Sequence, residues 1–325
     1  MTSVVGVVVI GRNEGVRLER CLASLVGTVD HVVYVDSGSS DGSVPMAQRL
    51  GVTVVALDMT QPFTAARARN QGFACLQQLL PSMTYVQFVD GDCEVIAGWL
   101  CSGQAFLDQH AEFAVVSGHC RERFPERSIY NRLCDLEWQS PVGEAKACGG
   151  NALMRAQAFA TAGGFRLGLI AGEEPELCVR LRAAGWRVWR LDAEMVLHDA
   201  AMTRFSQWWQ RTVRAGYAFA EGAFLHGAPP ERHWRQESRR AWFWGLAIPL
   251  ITLFASLMFG WPGLLLLLIY PLQVVRLARQ GERSTKDNWL RAGFLVLGKF
   301  PEMFGQIKFL LGRFGANKAS LIEYK

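Results

Sequence analysis

No two of the eight cysteines, at positions 21, 75, 93, 101, 120, 134, 148 and 178, are spaced as C-x-x-C, and no regular interval separates them. That scatter disfavours a zinc site and a disulfide framework, and reduced cytosol is the expected compartment. Charge is absent from one long stretch. Residues 241–275 carry no Asp, Glu, Lys or Arg, whereas the first 240 have the composition of a soluble protein. The amino-terminal MTSVVGVVVIGRNEG lacks a basic leader, and its apolar run stops in a charged turn. It is expected to be a first strand rather than a signal peptide, with the catalytic part inside the cell. The first turn, Gly11-Arg12-Asn13-Glu14-Gly15, has no G-x-G-x-x-G, which disfavours a dinucleotide-binding enzyme.

What is present is a 325-residue chain, 50% hydrophobic and 19% charged, enough for one large or two ordinary domains and too apolar for wholesale disorder. Residues 4–10 read as a buried strand and 16–25 as a helix with Leu18, Cys21, Leu22 and Leu25 on one face. Strands at 31–35 and 52–57 follow, ending at Asp36 and Asp58, and a long helix over 64–80 precedes the strand YVQFVDGDCE at 85–94. Such alternation implies an α/β fold with right-handed crossovers, a mainly parallel sheet, and ligands bound beyond the carboxyl ends of the strands. Asp36, Asp58 and Asp90 fall at those ends. In an extended segment Asp90 and Asp92 would project to one side. Two carboxylates aimed at one spot repel unless a divalent cation, Mg²⁺ or Mn²⁺ for oxygen ligands, lies between them, and Gly91 would let a phosphate approach the backbone. Asp-Gly is also an ordinary turn dipeptide.

Further on, a strand is expected over 113–117, a helix over 129–137 and another strand at GGNALMR. AGEEPELCVRLRAAG reads as a helix with Pro175 in its first turn, Leu177 and Leu181 towards the core and Gly185 at its end. Glu173 and Glu174 then sit at its N-terminus, where the helix dipole favours the ionised form that a general base needs. Acids are ordinary at helix starts, and Glu173 is the candidate for that structural role. WRVWRLD is a further strand leading to His198. Arg211 and Arg214 lie one helical turn apart, a spacing suited to phosphate and equally to a surface near lipid.

Taken in order, VVVIGRNEG, VDSGSSDGS, ARARNQG, FVDGD, GGNALMR and GEEPELCVRLRAAG resemble a family 2 glycosyltransferase of the GT-A fold, over residues 4 to about 220. The resemblance implies that Ile10, Arg12 and Glu14 line a nucleotide site, that Asp36 contacts the base, and that Arg67 and Asn70 lie near ribose and diphosphate. Asp90 and Asp92 would hold the metal, Mn²⁺ or Mg²⁺, with His198 able to complete its shell; a lone histidine is otherwise a packed or surface residue. Asp36 could instead cap a turn, Arg67 could be a solvated helix residue, and Asp41 is read as a cap. The family usually has Asp where this chain has Glu174. Processive synthases carry Q-x-x-R-W, but Gln207 to Arg211 and Gln210 to Arg214 are each one residue too long and lack the Trp, which argues for single-sugar transfer.

The expected division is a catalytic domain over 1–237 and a membrane region over 238–325. Within the latter, an apolar hairpin at 241–279 turns at GWPG, and amphipathic interfacial helices at 286–315 break near Pro301. Arg239, Arg240, Arg276, Arg279 and Arg283 flank the hairpin, which puts both ends in the cytoplasm and fits anionic lipid better than nucleic acid. A shallow re-entrant pair is the alternative. The reading is an inverting, metal-dependent glycosyltransferase of a bacterial inner membrane, using a nucleotide-sugar donor and a glycan acceptor, lipid-linked through polyprenyl diphosphate. The C-terminal region could also join copies of the chain. Alternatives are a polyprenyl-phosphate sugar synthase and a non-catalytic membrane scaffold.

Overall fold

A computed structural model describes residues 3–29 and 31–314; residues 315–325 of the expected C-terminal region lie outside it. The chain packs as two units. The first comprises residues up to Phe124, Glu137–Leu169 and Glu173–Ala201, and the second Pro125–Leu136, Ile170–Gly172 and the chain from Met202 onward.

The first unit is built on one sheet. Its strands are β1 (Val5–Gly11), β2 (His31–Asp36), β3 (Thr53–Ala56), β4 (Tyr85–Asp90), β5 (Cys93–Val95), β6 (Phe113–Glu122), β7 (Gly143–Ala145), β8 (Ala152–Arg155) and β9 (Arg187–His198), in the spatial order β3-β2-β1-β4-β8-β6-β9-β5, with β7 also on β9. β3, β2, β1 and β4 run parallel, β8 is antiparallel to β4 and β6, and β6 and β9 are parallel. The mainly parallel α/β expectation therefore holds. β1 is apolar at nearly every position because both its faces are covered. Val8 and Ile10 join Ala66, Phe73 and Leu76 of the Ala65–Leu79 helix. Val7 and Val9 join Leu18, Cys21 and Leu22 of the Val16–Ala23 helix. These crossovers bring the carboxyl ends of β1, β2 and β4 to one edge.

The second unit is helical, with helices Phe205–His226, Arg235–Trp242, Ile248–Phe259, Ile269–Arg279, Thr285–Leu297 and Lys299–Phe314. A π-helical turn, Phe243–Ala247, joins the second of these to the third, and a 3₁₀ segment, Trp261–Leu268, opens the return leg of the hairpin. Two expectations change here. The boundary does not fall at 237: Phe205–His226 buries Val213 and Tyr217, the Tyr217 and Phe309 ring centroids lie 5.4 Å apart, and this packing draws the helix into the C-terminal unit. Nor is 299–314 simply an interfacial helix, because Met303, Gln306 and Phe309 are buried by protein. The break before it falls at Gly298, and Pro301 is the third residue of the new helix, where its missing N–H has no intrahelical partner to lose.

Candidate active site

Three acids from two elements converge on one arginine. Arg69, on the Ala65–Leu79 helix, is 3% exposed; its Nη1 donates to Glu173 Oε1 at 2.7 Å and Glu174 Oε1 at 2.8 Å, and its Nη2 donates to Asp90 Oδ1 at 2.8 Å. Asp90 ends β4, and the two glutamates open the Glu173–Ala183 helix as its sequence foretells. Burial works against the charge on Arg69, but Glu174, Asp90 and Glu173 hold it protonated more firmly than usual. Their effect on Glu174 corrects the dipole argument. Burial first, and then the Glu173 charge beside it, raise the Glu174 carboxyl to about 7 against the pull of Arg69. Desolvation in the interior outweighs a helix terminus worth about 0.3–1 kcal/mol.

The chain does not stay extended after Asp90. It turns at Gly91 and Asp92 before β5 begins, so the extended geometry that the alternation argument assumed stops at Asp90. Asp90 faces Arg69, whereas Asp92 Oδ2 lies 3.1 Å from His198 Nε2. The cause is the ladder between β5 and β9, which sets Cys93 opposite His198. Asp92, Cys93 and His198 offer ligand atoms within 4.8 Å of one another. Trp138 stacks on the His198 ring at 4.4 Å. Burial alone would lower the His198 pKa, yet the Asp92 charge and hydrogen bond, with Cys120, push it well above its ordinary value. Gly91 N donates to Ile10 O at 2.8 Å, and a Cβ on Gly91 would stand 3.0 Å from that oxygen and 3.5 Å from Glu14 Cγ. The Ile10 carbonyl is what crowds a side chain there, whereas Glu14 lies at ordinary contact distance.

Asp36 is buried at the end of β2 and accepts from Tyr34 Oη, Gly38 N and Ser39 N at 2.8, 3.0 and 2.9 Å. Asn13 stitches the first turn to this loop: its N donates to Ser39 Oγ, and its Oδ1 accepts from Ser40 N. Arg12 is exposed on that turn, and Glu14, nearly buried, pairs with Arg17 at 2.6 Å. Asp41 accepts from Ser43 N and Oγ at the start of the Ser43–Arg49 helix, from one position ahead of its N-cap, Gly42. Arg67 donates to the backbone oxygens of Gln61 and Asp58. Asn70 closes two hydrogen bonds on the backbone of Phe165, at 2.7 and 2.9 Å. Arg211 and Arg214 lie on Phe205–His226 in the second unit, where Arg214 donates to Ile170 O.

Residues 6–161 match the model of glycosyl transferase family 2. Over that stretch the chain resembles a family 2 glycosyltransferase domain. A TPR repeat-containing protein of Synechococcus elongatus is 31% identical over 148 residues, which cover 43% of this chain and 34% of that protein. The succinoglycan biosynthesis protein ExoA of Rhizobium meliloti is 26% identical over 202 residues, 59% of this chain and 61% of its own. The chain therefore spans less than two thirds of either curated relative. A solved mannosyltransferase, PcManGT from Pyrobaculum calidifontis in complex with GDP-Man and Mn²⁺, superposes with a TM-score of 0.64 over 94% of this chain and 86% of that one, at 18% identity. That likeness is one of fold, and the fold is GT-A.

The donor set at the DGD turn fits a divalent cation. Without a cation, burial, followed by Asp92 and Asp90, pushes the Cys93 thiol well up. The Asp92 carboxylate and the His198 imidazole are an oxygen and nitrogen pair suited to a first-row divalent ion. Two residues of the cluster carry no role in the sequence reading. Arg69 is one; its signal was its place on the buried stripe Ala66, Arg69, Phe73, Leu76, where spacings of three and four keep a single helix face. The other is Asn151 of GGNALMR, whose Oδ1 accepts from Asp90 N at 3.1 Å.

Proposed function

We propose that the protein transfers a single sugar from a nucleotide-sugar donor to a hydroxyl of a glycan acceptor, inverting the anomeric centre. The observation that carries this reading is Glu174, a carboxyl whose proton affinity lies near neutral pH at the head of its helix, held against Arg69. A base poised near the working pH combines adequate deprotonation with adequate pull on the proton. Glu174 takes the proton of the acceptor hydroxyl, its oxygen bonds to the anomeric carbon, and the bond from that carbon to the diphosphate breaks. Asp36 and the turn at Arg12 to Glu14 receive the nucleoside, and the strand end at Asp90 and Gly91 lies where the diphosphate would follow. Asp92 and His198, with Asp90 close by in sequence, would hold Mn²⁺ or Mg²⁺, which when bound offsets the negative charge of the leaving diphosphate. Arg211 and Arg214 remain candidates for a phosphate of donor or acceptor.

The membrane belongs to the same reading. Arg235–Phe259 and Trp261–Arg279 are long and apolar enough to cross a bilayer; Leu253, Phe254, Leu257, Phe259, Trp261 and Leu272 are exposed. A bacterial inner membrane with a lipid-linked acceptor on its cytoplasmic face accounts for both observations.

The test is Glu174→Gln, which keeps size and removes proton-accepting power. Binding of GDP or UDP in Mn²⁺ is expected to survive, while transfer from the nucleotide sugar that the wild type uses falls by about 10²-fold or more. Undiminished transfer by the variant would point instead to an acceptor that is already ionised, such as a polyprenyl phosphate.

A further inference from the structure

Arg69 satisfies three carboxylates with two nitrogens, and its surroundings are arranged to let it. A Cβ at position 150 would lie 2.5 Å from Nη2 and 2.7 Å from Asp90 Oδ2, whereas at the adjoining Gly149 nothing lies within 4 Å. The glycine at 150 is therefore the space into which the guanidinium and Asp90 fit. The Phe165 ring lies under the guanidinium carbon at 5.5 Å, and the backbone of Phe165 is clamped by Asn70, the residue after Arg69. Arg69 and the residue that fixes its backing are thus neighbours on one turn of helix.

Stability does not account for this arrangement. Three acids share one cation, two of them with it in the interior and Asp90 partly exposed. Arg69 Nε, also buried, has no hydrogen-bond acceptor among the described residues. Buried ion pairs rarely outdo apolar packing of the same volume, and an unmet donor costs about 1–3 kcal/mol. A cluster so costly is better explained by geometry than by cohesion.

We propose that Arg69 is the positioning residue of the site, a planar fork whose one nitrogen fixes Glu173 and Glu174 and whose other fixes Asp90, so that the helix bearing the base and the turn receiving the diphosphate keep one spacing. The inference rests on the transferase reading for its consequence, but the grip itself is a property of the cluster. A lysine keeps the charge and loses the fork, since its ammonium is a point donor on a flexible stem. Small errors in placing reacting groups cost large factors in rate.

The experiment compares wild type with Arg69→Lys and Arg69→Gln by three readouts: thermal unfolding, GDP and UDP binding in Mn²⁺, and hydrogen exchange read by mass spectrometry. Transfer kinetics are added with the nucleotide sugar that the wild type turns over. Arg69→Lys is expected to unfold close to the wild-type temperature and to bind nucleotide within about threefold. It should exchange faster only in peptides covering residues 148–152 and 172–178, and should lose at least tenfold in kcat with little change in KM. Arg69→Gln should show the same pattern more strongly, at a lower unfolding temperature. Wild-type exchange at both segments in Arg69→Lys, or faster exchange throughout the domain, would overturn the proposal, as would full kcat. If the wild type transfers no sugar, the functional reading fails by itself, and the exchange pattern still decides what Arg69 holds.

Discussion

Glu174 ties the chemistry of the site to its cost. A carboxyl raised from the ordinary range to about 7 by burial and by Glu173 binds a proton in the folded chain that the unfolded chain has already released. Stability contributed by that proton is present at low pH and is lost as pH rises from the ordinary carboxylate range through about 7. Activity runs the other way, because only the ionised form accepts a proton. Transfer by the wild type should therefore climb through about pH 7, while its unfolding temperature declines over the same interval. Glu174→Gln should flatten the second profile and gain in relative stability towards pH 8, as measured by thermal unfolding at matched ionic strength. A wild-type rate already level below pH 6 would remove Glu174 as the titrating base. The acids could be found in the sequence because each ends a strand or opens a helix, and those positions follow from local periodicity. Their shared partner could not. Arg67 and Asn70 had the matching motif, but the residue between them points inward, and its partner Glu173 stands 104 positions away. No local rule joins such a pair.

At the scale of elements, the helices Phe205–His226 and Lys299–Phe314 touch through their backbones. A Cβ on Gly216 would collide with the Glu302 backbone, and one on Gly305 with the backbone of Val213 and Tyr217. Neither helix can retreat without opening the buried contacts of Tyr217 and Phe309. Gly305→Leu is accordingly expected to lower stability by more than the usual overpacking cost of about 1–3 kcal/mol. Gly293→Ala on Thr285–Leu297, where nothing lies within 4 Å, should be neutral or should stabilise by about 0.5–1 kcal/mol through helix propensity. Equal unfolding temperatures for the two variants would contradict this packing. The same contact explains why the second unit begins ahead of the apolar stretch. Composition changes at 241, but small residues that admit a neighbouring helix look unremarkable until the neighbour is known.

For the molecule as a whole, the apolar hairpin is the feature whose cost is largest if no lipid covers it. Gly263 sits against the backbone of Ala255 and Ser256, so the two legs pair closely and turn their leucines outward. With a bilayer as the partner, Leu257→Asp combined with Leu265→Asp should cost about 2.5–3.5 kcal/mol per site on the insertion scale. The double variant should shift from the membrane pellet to the supernatant of fractionated cells while GDP or UDP binding in Mn²⁺ persists. Retention in the pellet after alkaline carbonate washing would show that the hairpin is not what holds the protein there.

The pairing of β5 with β9 sets the order in which the protein comes to life. His198 stands opposite Cys93 in that ladder, so the DGD turn has no imidazole beside it until the last strand of the sheet has been made. Glu173 likewise reaches Arg69 only after 104 further residues. At synthesis rates of 5–20 residues per second that is a delay of roughly 5–20 s. During it the parallel core of β1, β2 and β4, joined by shorter connections, is free to form first. A nascent chain thus lacks the glutamate partners of Arg69 and the histidine partner of Asp92 until this late stretch emerges, and it gains Glu174 and His198 within a few seconds of each other.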